Sequence, residues 1–190
     1  MKRLSLVALA VAGAVAVLSA GPGPLSLSGK FWPYYQYTLA PESLAGKPNA
    51  GQNKFDLDRA YFGVAGDLDK HFGGKVNFDL ARMADGYFHV VVKSAYFEHR
   101  GLFTGLKLQV GQHDLPWVGF EEKLWKFRYV GKTLADQAGK LTSTDLGISA
   151  LYDFPSSYGG VHLALVNGNG WKAAEANKFK DLHARLTIVP

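Results

Sequence analysis

The stretch "GKVNFDLAR", residues 74–82, decides the fold because apolar and polar side chains alternate along it one by one. Its apolar set is Val76, Phe78 and Leu80, and its polar set is Lys75, Asn77 and Asp79. Successive side chains of a β-strand point to opposite faces of its sheet. The alternation therefore predicts a strand with one apolar face and one polar face.

The same alternation recurs on both sides of this stretch and predicts eight strands. They cover residues 25–39, 55–66, 74–82, 90–99, 105–112, 144–152, 161–166 and 180–189. The strand at residues 90–99 is apolar and aromatic on both sides, so alternation does not orient its faces. The whole pattern predicts an all-β chain whose consecutive strands run antiparallel.

The predicted connections alternate between short and long. Short turns follow the second, fourth and sixth strands, and the longer connections are residues 40–54, 84–89, 114–143 and 168–178. Aromatic residues lie near both ends of the strands: Phe72, Phe103, Phe154 and Tyr158 by the short turns, and Tyr35, Tyr37, Phe55, Tyr87 and Phe88 toward the long loops. This pattern is typical of outer-membrane barrels with short periplasmic turns and two aromatic girdles. It predicts a transmembrane antiparallel up-and-down β-barrel over residues 21–190. A soluble barrel with its apolar face inside remains an alternative, because alternation alone does not separate the two.

The N-terminus predicts export. Lys2 and Arg3 precede an apolar run at residues 4–18, and small residues follow. This is the three-part form of a secretory signal peptide. The run is also shorter than the roughly 20 apolar residues of a spanning helix. We therefore expect residues 1–20 to be a cleaved signal peptide and the mature chain to reach the bacterial outer membrane.

Charge and composition exclude several classes of function. Two of the 21 Lys and Arg residues lie in the predicted signal peptide, which leaves 19 basic against 16 acidic side chains, a formal charge of +3. This mild excess favours anionic solutes weakly and, without a basic run, does not support nucleic-acid binding. The chain has no cysteine, and its histidines lack metal-ligand spacing. No catalytic Ser-His pair or phosphate-binding loop stands out, so we expect neither an enzyme nor a cofactor or metal site.

In a pore, charged side chains on the wall select solutes by the sign of their charge. Alternation gives ten candidate pore-lining residues: Lys30, Arg59, Lys75, Asp79, Lys107, His113, Asp145, His162, His183 and Arg185. Their excess of cations would raise the local concentration of anions. The alternative is that these groups only pair with one another and with water.

The connection at residues 114–143 is too long and too aromatic for a plain turn. Within "PWVGFEEKLWKFRYV", residues 116–130, Phe120, Leu124 and Phe127 have helical spacing. Glu122 and Lys126 are four residues apart, which predicts a supporting ion pair. The candidates for a cationic constriction are Lys123, Lys126, Arg128 and Lys132. An external lid without contact to the solute is the alternative.

Three segments carry a family resemblance. They are "RAYFGVAG" at residues 59–66, "KSAYFE" at 93–98, and "LQVGQ" at 108–112, which leads into a loop containing Pro116. In this order and spacing they resemble the N-terminal half of the porins of the phosphate-selective O and P family. The resemblance covers about residues 55–153.

The resemblance implies a homotrimer of barrels, each with about sixteen strands. It also implies a third external loop folded into the lumen and Arg and Lys side chains that relay anions. It thus implies an outer-membrane porin, embedded in lipid, for passive diffusion of small hydrophilic, phosphate-like solutes. Eight strands are half of such a barrel, so we expect the chain to be incomplete. The competing hypothesis is a closed eight-stranded outer-membrane barrel with a structural or adhesive role and no open pore.

Overall fold

The computed structural model describes residues 7–8, 25–38, 51–139 and 141–190. The predicted signal peptide lies almost entirely outside the described residues, as does most of the predicted connection at residues 40–54.

One antiparallel sheet contains all the strands, in chain order. They are β1 (Val7–Ala8), β2 (Leu25–Thr38), β3 (Asn53–Asp67), β4 (Phe72–Arg82), β5 (Phe88–Arg100), β6 (Leu106–Asp114), β7 (Thr144–Asp153), β8 (Gly159–Val166) and β9 (Asp181–Ile188). The eight predicted strands are confirmed as β2 to β9, each paired with its sequence neighbours, and β1 is an additional short strand beside β2. Within the described residues no pairing joins β9 to β1 or β2, so the sheet is open.

The predicted alternation of short and long connections is confirmed except at residues 83–87, which are as few as those of the short turns. Residues 68–71, 101–105 and 154–158 connect strands at one edge of the sheet, and residues 39–52, 83–87, 115–143 and 167–180 connect them at the other. The connection at residues 115–143 contains two helices, α1 (Val118–Trp125) and α2 (Leu134–Gln137). In the described part of the chain, no helix has the length and hydropathy needed to cross a membrane.

The apolar face of the sheet is exposed and the polar face is covered. Phe97 pairs with Val110, and Val110 with Ile148, yet these side chains are 68%, 58% and 52% exposed. On the other face the paired Gln109 and Ser149 are buried. Soluble proteins place apolar side chains inside and leave polar ones in water. The sheet has the opposite arrangement, so it is not the wall of a soluble barrel with an apolar interior.

A β-bulge explains why alternation did not orient β5. Asn77 pairs with Ser94, but the next residue, Phe78, pairs with Val92, which leaves Lys93 as an extra residue. An extra residue shifts the period of side-chain direction by one. The two halves of β5 therefore each alternate, but they are out of phase with each other in the sequence.

Candidate functional site

The ten predicted pore-lining residues lie on the same face of the sheet, the polar one. Residues directly opposite each other in a ladder share a face. Lys30 pairs with Tyr61 and Tyr61 with Asp79, and at the far edge His162 pairs with Arg185. Between them the register places the remaining candidates on that face: Arg59, Lys75, Lys107, His113, Asp145 and His183. Their contact with a passing solute stays a prediction.

The segment at residues 115–143, here called the docked loop, lies on this polar face. Glu122 of α1 accepts a hydrogen bond of 2.9 Å from Arg59 on β3. Two residues earlier, the ring of Phe120 lies 4.4 Å from the guanidinium carbon of Arg185 on β9, which also donates to the carbonyl of Pro116. Because strands near opposite edges of the sheet contact one short helix, the sheet curves around α1 with its polar face concave.

Apolar contacts hold the start of the docked loop against the wall. Leu115 forms a buried cluster with Ala164 and Val166, which lie on the concave side of β8. Pro116 and Val118 are also fully buried. These residues fix where the loop leaves β6, so α1 begins directly on the wall.

An ion cluster of Arg59, Glu122 and Arg128 holds the middle of the docked loop. The Glu122 carboxylate accepts from Arg59 at 2.9 Å and from the Arg128 side chain at 3.0 Å. Burial opposes ionisation of Glu122. The hydrogen bonds and positive charge of Arg59, with those of Arg128, outweigh this effect and hold the pKa of Glu122 below its ordinary value. The cluster thus keeps a carboxylate ionised beside the wall.

The predicted details of the helix are partly wrong. Lys126 has a left-handed backbone, with φ 58°, and ends α1 as its C-cap. The Glu122 side chain therefore pairs with the two arginines rather than with Lys126. Leu124 and Phe127, which with Phe120 gave the helical spacing, are exposed. The buried side of α1 instead begins at Val118.

The four predicted constriction cations have different surroundings. Arg128 is largely buried by Glu122 and lies 3.6 Å from Asp58, whereas Lys123 and Lys126 are exposed. Lys132 is exposed and forms an ion pair of 3.4 Å with Asp136. Their role as a constriction stays a prediction.

Asp145 anchors the long-loop edge of the wall, and His113 lies buried opposite it. The Asp145 carboxylate accepts from the backbone N–H groups of Gly168 at 2.8 Å and Gly170 at 3.1 Å. His113, directly opposite Asp145 in the ladder, is completely buried. A solute would reach these two side chains only if the loops moved.

Lys93 is a wall cation that alternation missed. Its ammonium donates to the Tyr61 hydroxyl at 2.9 Å and lies 4.4 Å from the centroid of that ring and 5.9 Å from that of Trp171. Lys93 is partly buried, and the described residues offer it no ion pair. The only sequence signal was the loss of alternation in this strand, which marks the bulge.

An up-and-down sheet with an apolar outer face, a polar concave face and a loop docked on that face is the architecture of a porin wall. A family model described as phosphate-selective porin O and P matches residues 43–123. The resemblance drawn from residues 59–66, 93–98 and 108–112 is thereby confirmed, since all three segments lie within the match. No curated protein and no solved structure matches the chain. The match supports a porin-like role.

Proposed function

We propose that this chain forms the wall of an outer-membrane β-barrel porin through which small hydrophilic solutes, including phosphate-like anions, diffuse passively. The observation that carries the proposal is the reversed sheet, with apolar side chains outside and polar side chains on the concave face. In lipid this arrangement places the apolar face against acyl chains and the polar face against water. In water it would leave the apolar face unprotected.

Strand length and aromatic placement support insertion in a bilayer. Strands β4, β6 and β7 have 11, 9 and 10 residues. A tilted strand needs about 9 to 11 residues to cross a membrane. Exposed rings lie at both edges of the sheet, Phe72 and Phe103 beside the short turns and Tyr87 and Phe88 beside a long loop. Rings at these positions suit the two membrane interfaces.

The charges of the concave face support a preference for anions. Arg59 is neutralised by Glu122 and Lys107 by Asp153, but Lys30, Lys75 and Lys93 form no ion pair with the described residues. Cations without counter-ions on a confined wall attract anions and repel cations. The wall is therefore mildly anion-selective in this proposal.

The proposal also requires a wider barrel. The interior of a closed eight-stranded barrel is just filled by side chains. Here α1 occupies the concave side, and the outer edge of β9 is unpaired among the described residues. We therefore propose that further strands continue the sheet at β9 and that the full-length protein is a homotrimer. The closed eight-stranded structural barrel is not favoured, because β2 and β9 do not pair.

Planar-bilayer recordings of the purified full-length protein test the proposal. Stepwise ion conductance is expected, and its absence at protein densities that give steps with a control porin would rule out the porin function. Reversal potentials in a salt gradient then test the charge of the wall. A potential without anion preference would overturn the cationic wall and leave the porin function standing.

A further inference from the structure

A cavity of about 210 Å³ lies between α1 and the concave faces of β7, β8 and β9. Phe120 and Leu151 provide apolar walls, and His162, Arg185 and Thr187 provide polar ones. His162 is only 6% exposed. The cavity is thus a partly open recess in the wall, next to the docked loop.

The polar side chains of this recess have buried atoms without partners. They are Nε2 of His162, Nε of Arg185 and Oγ1 of Thr187, none of which has a hydrogen-bond partner among the described residues. Buried polar atoms in folded proteins are nearly always hydrogen-bonded. These three atoms belong to side chains that line one cavity, which indicates that a further group binds there.

Arg185 determines the charge of that group. Its Nη1 donates to the Pro116 carbonyl and its guanidinium carbon lies 4.4 Å from the Phe120 ring centroid, so the side chain is held in place. It forms no ion pair with the described residues. The Asp153 carboxylate, which also lines the cavity, is paired with Lys107 at 3.2 Å. A fixed guanidinium with an unused Nε–H is suited to a carboxylate or a phosphate.

We propose that the recess binds a small organic carboxylate. The carboxylate group pairs with Arg185, with hydrogen bonds from Thr187 and His162, and a short apolar body packs against Phe120 and Leu151. Inorganic phosphate would use the same donors but would leave the two apolar walls without a partner. The contacts that Phe120 and Leu151 offer to an apolar body are what favour the organic carboxylate.

Calorimetric titration of the full-length protein in detergent micelles tests this site, with benzoate as the probe and inorganic phosphate as the comparison. One benzoate per chain is expected. Arg185→Gln removes a charged hydrogen-bonding partner and is expected to weaken binding roughly tenfold to a hundredfold. Lys70→Gln removes the same charge from an exposed short turn outside the recess, so its affinity should match the wild type.

A second pair of variants covers the case in which Arg185→Gln fails to fold. Thr187→Val keeps the side-chain shape but removes the hydroxyl and should weaken benzoate binding several-fold, whereas Thr187→Ser should retain it. The proposal is overturned if benzoate does not bind, if Thr187→Val binds as tightly as Thr187→Ser, or if phosphate binds more tightly than benzoate. Binding in micelles involves no conduction, so either proposal can fail without the other.

Discussion

Replacing Glu122 by glutamine tests whether the ion cluster holds the docked loop against the wall. Glu122 accepts from Arg59 at 2.9 Å and from Arg128 at 3.0 Å. The side chains of the two arginines are only 10% and 11% exposed. Glutamine keeps the size of the side chain but leaves two largely buried cations without their shared carboxylate.

The expected loss follows from these contacts. A hydrogen bond to a charged group contributes about 1.5 to 3 kcal/mol. Two such bonds are weakened here, but Glu122 is 25% exposed and the amide oxygen still accepts a neutral hydrogen bond, so solvent screening reduces the sum. We expect docking to lose about 2 kcal/mol, which is roughly a thirtyfold shift toward the undocked loop.

Distances between two spin labels measure this shift. The chain has no cysteine, so cysteines introduced at Leu124 on α1 and Leu68 in a short turn are labelled specifically. Glu122→Gln should add a second population of distances. Glu121→Gln makes the same charge change one residue earlier, outside the ion cluster, and should leave a single population. Equal effects of the two variants would refute the ion cluster as the docking contact.

The same labels give a pH dependence. In the docked state burial raises the pKa of Glu122, but the hydrogen bonds and positive charges of Arg59 and Arg128 lower it by more, so the net pKa is lowered. The cluster therefore stabilises docking fully above about pH 4.3, the ordinary value for a glutamate, and loses this contribution as the pH falls through the lower docked value. In the wild type, undocking should begin only below about pH 4.3. Glu122→Gln has no carboxylate to protonate there, so it should show no acid-induced undocking step of its own. Undocking that begins near neutral pH would mean that another group controls the loop.

Three further predictions concern the wall. Gly111 has φ 126°, and a Cβ there would meet the backbone of β5. Gly111→Ala should therefore lower the free energy of unfolding, measured with urea in micelles, by about 2 to 3 kcal/mol. Gly119 lies in open space, so Gly119→Ala should leave this free energy unchanged. Phe97→Lys should make the free energy of folding into liposomes less favourable by about 2 to 4 kcal/mol. Leu68→Lys, in a short turn, should cost about 1 kcal/mol or less. Equal costs would argue against a lipid-facing Phe97. Lys93→Met should lower the anion preference measured by reversal potentials. It should not lower the thermal midpoint of unfolding, because a partly buried ammonium without a counter-ion is costly. A large fall in the midpoint would contradict this account.

The strands could be predicted because their signal is local. Side-chain direction in a strand has a fixed period of two, so every regular strand shows its two faces in the sequence. The clean alternation in residues 74–82 became β4, with Val76 and Lys75 on opposite faces. Pairing of sequence neighbours then required only short turns at one edge, and these were visible as well.

The contacts of the docked loop could not be predicted because they join distant parts of the chain. Local spacing favoured an ion pair between Glu122 and Lys126. Glu122 instead pairs with the guanidinium of Arg59, which lies on the wall and is 63 residues away in sequence. The cavity has the same origin, since Phe120 and Arg185 meet only through the curvature of the sheet. Curvature depends on every strand at once and leaves no mark in any single segment.

The bulge at Lys93 has a consequence for how such a wall can change in evolution. The ladder with β4 is continuous on both sides of it, from Phe88 to Val92 and from Ser94 to His99, so this residue alone is surplus to the pairing. Loss of its codon would remove one cation from the concave face and leave the apolar face of β5 in place. Gain of one codon for a basic residue within another wall strand would add a bulge and one cation to the concave face. Relatives of this protein could therefore differ in the charge of the channel by the length of a single strand, without any substitution in the lipid-facing surface.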